Sequence, residues 1–550
     1  MRYTTSYKKI YTLLLLGVFS VGCTKLNEKL NSTLTNQQTA DALGANGTAL
    51  LLQAAYADIG TPFTDVGMVL NLTGNSSDES LVPTRGGDWD DNGAWRVVHA
   101  HTWNADLSSL LNTFNALNKL NFDATNVLAF SPTASQAAEA RFLRCFALYY
   151  LLDFFGQYPI RNPGDNLLNA PEVKVGTEAV DFIISELEAI INDLPAANAG
   201  MNYKANTDAA RILLMKCYLN RGTYGNRQSP TFPDADMQKV ITLGTAIMSS
   251  TRYSYTTNFF DNFSWDNGAK SKEGIFAYQN TSGVSANNSG PQARWFYSLH
   301  YNMYTPKNPN AGWNGFATVA EFYNSFGVTA PATQSPNDTL LDKRIGGRYY
   351  PGVTNVSGQR PGLMIGQQYN ENNVALKDRN GAPLSFTPTI SANMIENGSN
   401  LEVTGIRVVK YPPDFSDNGK YYDANAGNDI MLLRYADAAL MVAEAKMRAA
   451  TPDNAGALAI VNELRTARGA ATVASMPLVN TNNVYDPNTL LAERGREMYF
   501  ENVRRTDLIR FGMFLKPWAY KPADDPKNLI FPIPSQALAA NPNLQQNPGY

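Results

Sequence analysis

Between Arg141 and Ile160 the chain reads RFLRCFALYYLLDFFGQYPI. Phe142, Phe146, Tyr149, Tyr150, Phe154 and Phe155, with the leucines among them, fall on nearly every side of a helix. A helix that is apolar all round must be covered by other elements on all sides, so this segment demands a scaffold built around it. Gly156 and Pro159 give it a stop. Arg141 and Arg144, three residues apart, share its one polar edge and are expected to pair with a Glu or with backbone carbonyls. Cys145 and Cys217 (the latter in ARILLMKCYL) are expected as buried small hydrophobes; the sequence leaves open whether they are bridged. A secreted disulfide scaffold would need more cysteines. With no CxxC and no His/Cys cluster, no structural zinc is expected.

Material to cover that helix is present on both sides of it. Apolar residues at three- and four-residue spacing predict helices near 38–59, 104–121, 134–155, 178–193, 207–222 and 234–250. Thr207-Asp208 opens one of them and Gly222 stops it. From 251 to 428 the chain turns dense in Gly, Asn, Ser, Pro and Tyr, with short strand-like pieces such as GIFAYQ and LEVTGIRVVKY. A stretch of that length is not structureless inside a compact domain, and it reads as a loop-rich layer with small sheets laid against the helices. Helical periodicity returns in NDIMLLRYADAALMVAEAKMRAA, NAGALAIVNELRTARG and TLLAERGREMYFENVRRTDLIRFG, and a turn-rich tail follows. Paired helices of this length suggest a mainly α, tetratricopeptide-like scaffold interrupted by a large loop-rich insertion containing small β elements.

The 550 residues are 44% hydrophobic and 17% charged, with a formal net charge of −3. That near-neutral balance gives no footprint for nucleic acid. The N-terminus is a targeting segment: MRYTTSYKK carries Arg2, Lys8 and Lys9, then IYTLLLLGVFSVG is too short to span a bilayer, and Cys23 follows. This order resembles a bacterial lipoprotein signal, with an ordinary secretory signal as the alternative. It implies cleavage before Cys23 and acylation of that residue, a membrane attachment through buried methylenes.

Several segments, in order, resemble the SusD/RagB family of outer-membrane nutrient-binding lipoproteins: EARFLRCFALYYLLDFFGQYPI (139–160), DAARILLMKCYLNRG (208–222), LLRYADAALMVAEA (432–445), VNELRTARG (461–469), ERGREMYFENVRRTDLIRFG (493–512) and FPIPSQALAANPNLQQNPGY (531–550). The resemblance implies four tetratricopeptide-like helix pairs with the irregular remainder carrying the ligand site. It implies a cell-surface lipoprotein that captures oligosaccharides and delivers them to a SusC-like TonB-dependent transporter, as in polysaccharide utilisation, without catalysis or cofactor. It also implies a division into a signal peptide (1–22), an N-terminal helical region (23–250) and a C-terminal region (251–550: loop-rich 251–428, helices 429–515, tail 516–550) within one compact unit. A module for peptides or another nutrient with the same transporter architecture is a second reading.

A sugar ring has an apolar CH face and a hydroxyl rim, so aromatics in polar, Gly-rich loops are the useful signal. NSSDESLVPTRGGDWDDNGAW (75–95) supplies Asp78, Arg85, Trp89 and Trp95 as candidate glycan contacts. The plainer reading pairs Arg85 with a local Asp and lets the tryptophans plug the scaffold. Its carboxylates could hold Ca²⁺, although no EF-hand spacing is present. The region 263–313 adds Trp265, Trp295 and Trp313, with Tyr297, Tyr301 and Tyr304 nearby; these too could simply fill an interface. His99 and His101 would share a face in a strand, but with no third ligand evident they read as structural. An all-α glycosidase would need two facing carboxylates; Asp88, Asp90 and Asp91 are available, and nothing marks one as acid and another as base. Arg494, Glu497, Glu501, Arg504 and Arg505 fall at or near helical spacing, which predicts intrahelical pairs on a charged face, or alternatively contact with the transporter.

Overall fold

The computed structural model describes residues 46–281, 294, 297–303, 312–327, 342–346, 361–370, 374–412 and 427–550. Cys23, the targeting segment, Trp295 and Tyr304 lie outside these. In chain order the helices are α1 Gly47–Ala57, α2 Gly60–Thr64, α3 Ala94–His99, α4 Ser108–Val127, α5 Ala134–Phe155, α6 Gly176–Ile190, α7 Thr207–Gly225, α8 Asp234–Met248, α9 Asn267–Lys270, α10 Ala320–Asn324, α11 Tyr435–Arg448, α12 Asn454–Ala467, α13 Leu490–Met498, α14 Arg504–Arg510 and α15 Ser535–Ala540. α4 packs on α5, α5 on α6, α6 on α7, α7 on α8, α8 on α11 and α11 on α12, so the helical array resumes after the insertion. The mainly helical class is as expected.

α5 is the buried centre. Its first turn is closed by a capping box between Thr133 and Gln136. Its last residue meets Gly156 at φ +67, where a Cβ would lie 2.3 Å from Ile530 Cδ1, so glycine is required both by conformation and by space. Phe146 lies against Phe63, Tyr150 and Phe276 at centroid distances of 5.2, 5.4 and 5.6 Å. Arg141 donates to both oxygens of Glu186 on α6 at 2.9 and 3.0 Å, and Arg144 donates to the same carboxylate, as the polar edge suggested. Cys145 and Cys217 are free and buried; burial pushes the Cys145 thiol up to about 12.

Small sheets tie the insertion to the scaffold. β4 Gly274–Tyr278 pairs antiparallel with β10 Ile430–Arg434, and β2 Gln157–Ile160 with β3 Glu172–Val175. β5 Gly362–Met364 pairs with β9 Arg407–Val409, β6 Gly366–Gln367 with β7 Ser385–Phe386, and β1 Thr84–Arg85 runs parallel to β8 Ile395–Glu396. Two corrections follow. The expected helix from residue 428 begins as strand β10, because an apolar run buried on both faces fits a strand as well as a helix and β4 offers the pairing. In LEVTGIRVVKY only Arg407–Val409 forms a strand, since Gly405 at φ +82 breaks the extended run before it.

The largest correction concerns residues 489–512. The single helix expected there is two, α13 and α14, separated by Phe500 and Asn502 in left-handed conformations at φ 58 and 65. Lys410 Nζ takes the carbonyls of Glu497 and Tyr499 at 3.2 and 2.6 Å, and the Phe500 N–H donates to Glu79. The groups that would continue the helix are thus occupied by distant residues. The charges are also not an outward face. Glu493, Glu497 and Glu501 are buried and accept from Arg344, Arg434, Arg465, Arg468, Arg496 and Lys410, while Arg494 pairs with Asp437 and Asp507. Intrahelical pairing is limited here to Arg496 with Glu493 and Arg510 with Asp507, each at i,i+3. Arginines hold Glu493 well below the usual carboxylate range despite its burial.

Candidate functional site

The loop after β1 is built from uncommon backbone. Gly86, Trp89, Asp91, Asn92 and Gly93 all have positive φ, between 40° and 79°. A Trp at φ 59 is unfavourable on steric grounds and persists only where its surroundings hold it. They do so here. Arg85 and Asp88 exchange backbone hydrogen bonds of 2.9 and 3.1 Å, which closes the turn. The Trp89 indole lies flush on Gly315, where a Cβ would come within 2.3 Å of the ring, and its Nε1 donates to the Trp313 carbonyl at 2.7 Å.

The third tryptophan arrives from more than 200 residues away. Leu81 and Ala317 exchange hydrogen bonds of 2.9 Å each, an antiparallel bridge that aligns 312–317 beside the loop. Trp89 is then 5.2 Å from Trp95 (on α3) and 6.5 Å from Trp313, with ring planes inclined at 71° and 47°. Phe316 lies beneath Trp89 and Trp95 at 5.7 and 5.6 Å and is itself backed by Tyr297 at 4.3 Å. Trp313 remains 39% exposed, while Trp89 and Trp95 are half-buried. The result is an angled aromatic platform over an aromatic floor.

Polar groups surround it. Tyr301 donates to Asp88 Oδ2, and the Arg379 guanidinium lies 3.8 Å over the Tyr301 ring. Arg379 is held by Glu402 at 2.5 Å, and Glu402 also bonds His300 Nε2 at 2.8 Å. Burial lowers the His300 pKa to about 4 despite that carboxylate, so the ring is neutral at pH 7. Asp91 accepts from Trp95 Nε1 at 2.7 Å, and Asp90 accepts from Arg96 and Thr84 at 3.2 and 3.3 Å. Each loop carboxylate is therefore tied to a neighbouring donor rather than facing another across a gap.

Sequence reasoning named Trp89, Trp95 and Trp313, which the fold brings together. It also named Asp78 and Arg85, which lie beneath. Asp78 is buried with both oxygens 2.6 Å from Arg504, and Arg85 is buried and donates to the Leu401 and Thr404 carbonyls and the Thr404 hydroxyl. Arg85 thus bonds to backbone and Thr404, not to a local Asp. Trp265 packs against a small core of Leu299, Met303, Met364, Leu384, Phe386 and Val409. Arg379 and Glu402 were not anticipated, since LKDRNGAP reads as an ordinary turn. His99 ends a helix rather than a strand; it and His101 are buried and bonded to backbone carbonyls, with His101 also on Asp524. Among the described residues no group of three or more His, Cys, Asp or Glu side chains is placed to hold a metal ion.

Comparison with known proteins agrees with this architecture. A family model, SusD family, matches residues 272–524. The chain is 26% identical over 456 residues to the starch-binding protein SusD of Bacteroides thetaiotaomicron, covering 78% of this chain and 75% of that protein. Among solved structures, a SusD-like protein from Bacteroides fragilis superposes with a TM-score of 0.67 at 18% identity, over 94% of this chain and 100% of the other. Surface glycan-binding protein A from Bacteroides thetaiotaomicron, in complex with laminarihexaose, superposes with a TM-score of 0.65 at 17% identity, over 92% and 99%. Residues 272–524 thus match the SusD family, and the fold as a whole is that of SusD-like structures.

Proposed function

We propose that this protein captures an oligosaccharide at the cell surface on the Trp89–Trp95–Trp313 platform and releases it uncleaved to a SusC-like TonB-dependent outer-membrane transporter. The observation that carries the reading is the meeting of three partly exposed indoles with a rim of Asp88, Asp91, Tyr301 and Arg379. Indole faces accept the CH face of a pyranose, and carboxylate, phenol and guanidinium groups match its hydroxyls. Rings inclined at 47° and 71° suit a ligand that curves rather than a flat chain. Relatives named as binding starch and crystallised with laminarihexaose support a glucan ligand. Asp78 and Arg85 act from below, fixing the loop that carries Trp89, and Trp265 and Trp295 remain candidates for further contacts. In this reading residues 1–22 are a lipoprotein signal and the mature chain is held in the outer membrane by lipid on Cys23.

Calorimetric titration with maltohexaose and laminarihexaose tests the binding step. Saturable heat from at least one glucan, with no shortened product by chromatography after prolonged incubation, is the expected result. Steady product formation by the pure protein would replace capture with catalysis. For the anchor, the Cys23→Ala variant should lose both labelled palmitate and membrane fractionation; retention of both would refute lipidation there.

A further inference from the structure

The rim of the aromatic platform is not balanced in charge. Asp90 pairs with Arg96 at 3.2 Å and Glu402 with Arg379 at 2.5 Å. Asp88 and Asp91 are exposed, and each is bonded instead to an uncharged donor, the Tyr301 hydroxyl and the Trp95 indole N–H. Beneath the loop lie buried Arg85, Arg407 and Glu396. Arg85 donates to the Leu401 and Thr404 carbonyls, and Arg407 to those of Glu402, Thr404 and Gly405, so these guanidiniums are engaged with the protein's own backbone. Of these groups five are carboxylates and four are guanidiniums, which leaves a net charge of −1. Asp88 and Asp91 put that excess at the exposed edge of the platform.

Both carboxylates stand close to the rings. Asp91 Oδ2 is 2.7 Å from Trp95 Nε1, which places it at the edge of that indole, and Asp88 precedes Trp89 in the chain. A sugar ring stacked on an indole extends its substituents past the ring edge, where they meet these oxygens. A carboxylate accepts hydrogen bonds and donates none. A sugar hydroxyl donates to it and is welcome there. A uronate or sulfate group brings no such donor and sets like charge against like, which costs affinity. Arg379 does not reverse this preference. Its Nε and its backbone N–H both donate to Glu402, whose charge meets its own, and the guanidinium lies 3.8 Å over the Tyr301 ring.

We propose that the platform selects uncharged glycans with free hydroxyls and rejects acidic ones, with Asp88 and Asp91 as the discriminating residues. This rests on the capture reading above and narrows its ligand to neutral sugars.

The test compares matched pairs by calorimetry: maltohexaose and laminarihexaose, each against its C6-oxidised counterpart, in which every CH2OH has become a carboxylate while ring and linkage stay the same. EDTA is present, so that no divalent cation bridges the carboxylates. In about 20 mM salt the acidic chain should bind wild type at least tenfold more weakly than its neutral parent. The gap should narrow in about 0.5 M salt, where charges are screened within a few ångströms. The double variant Asp88→Asn, Asp91→Asn keeps an acceptor for the Tyr301 hydroxyl and the Trp95 N–H. Its preference for the neutral chain should fall at least fivefold, because it binds the acidic chain more tightly than wild type does. General damage to the site would weaken both chains instead and leave their ratio unchanged. Acidic chains that bind wild type as tightly as neutral ones, or a ratio unaltered in the double variant, would overturn this selectivity and leave glycan capture standing. Binding of neither chain would overturn capture itself, and the selectivity with it.

Discussion

The molecule has two concentrations of aromatic side chains, and they do opposite things. In α5 the rings of Phe142, Phe146, Phe154 and Phe155 are at most 1% exposed and touch other rings on several sides. In the loop platform Trp89, Trp95 and Trp313 touch each other too, yet keep part of each ring open. The difference lies in the backbone and not in aromatic content. A regular helix distributes its rings around an axis, where neighbouring helices cover them. A loop of left-handed residues, pinned by the Leu81–Ala317 bridge, stacks its rings on one floor and leaves part of each ring exposed. On the proposed reading, aromatics mark the binding surface only where irregular backbone keeps them from being fully packed.

Substitutions at the two regions should separate stability from binding. Phe146→Ala in α5 is expected to cost about 3–5 kcal/mol of stability through the cavity it leaves. Glucan affinity of the fraction that remains folded should be unchanged. Chemical denaturation followed by calorimetry on the same preparation checks both, and a selective loss of affinity would mean that α5 is not merely scaffold. Trp313→Ala is expected to do the reverse. It should lower glucan affinity by roughly 2 kcal/mol, as a central aromatic anchor does, and leave the denaturation midpoint within about 1 kcal/mol of wild type because the ring is 39% exposed. Gly315→Ala should weaken affinity by about 1 kcal/mol without removing any ring, since the added Cβ would lie 2.3 Å from the Trp89 indole and must displace it. Unaltered binding by that variant would show that the position of Trp89 is immaterial.

A smaller, pH-dependent effect tests the floor under the loop. Burial raises the Glu79 carboxyl from 4.5 to about 8, so it is protonated at neutral pH in the folded protein and ionised in the unfolded chain. Between those two values the native state binds the extra proton, and the contribution of Glu79 to stability falls as pH rises. Glu79→Gln keeps an acceptor for the Phe500 N–H and cannot ionise. Its midpoint should match wild type near pH 5 and exceed it at pH 8. Parallel pH profiles for the two proteins would show that Glu79 is ionised in the fold.

Much of this was legible in the sequence, for identifiable reasons. α5, α7 and α8 were readable because apolar periodicity is a local property, although α7 runs through Gly222, where a stop was expected, to Gly225. Trp89, Trp95 and Trp313 stood out as bulky aromatics among Gly and Asp. Their meeting was not readable, because it depends on pairing between Leu81 and Ala317, two ordinary residues far apart in sequence. Arg379 and Glu402 were invisible for the same reason. Residues 489–512 misled because a helix-spaced run of charges looks the same whether it faces water or a buried set of counter-ions; Arg344, Arg434 and Arg468 decide between these, and they come from elsewhere in the chain.

The central claim is that irregular backbone, and not the dense aromatic helix, makes the sugar-contact surface. A crystal structure of the protein soaked with laminarihexaose or maltohexaose measures this directly. The account predicts a sugar ring stacked within about 4 Å of at least one of Trp89, Trp95 and Trp313, with a hydroxyl on Asp88, Asp91, Tyr301 or Arg379. Ordered sugar elsewhere on the molecule, with the platform bare, would contradict it.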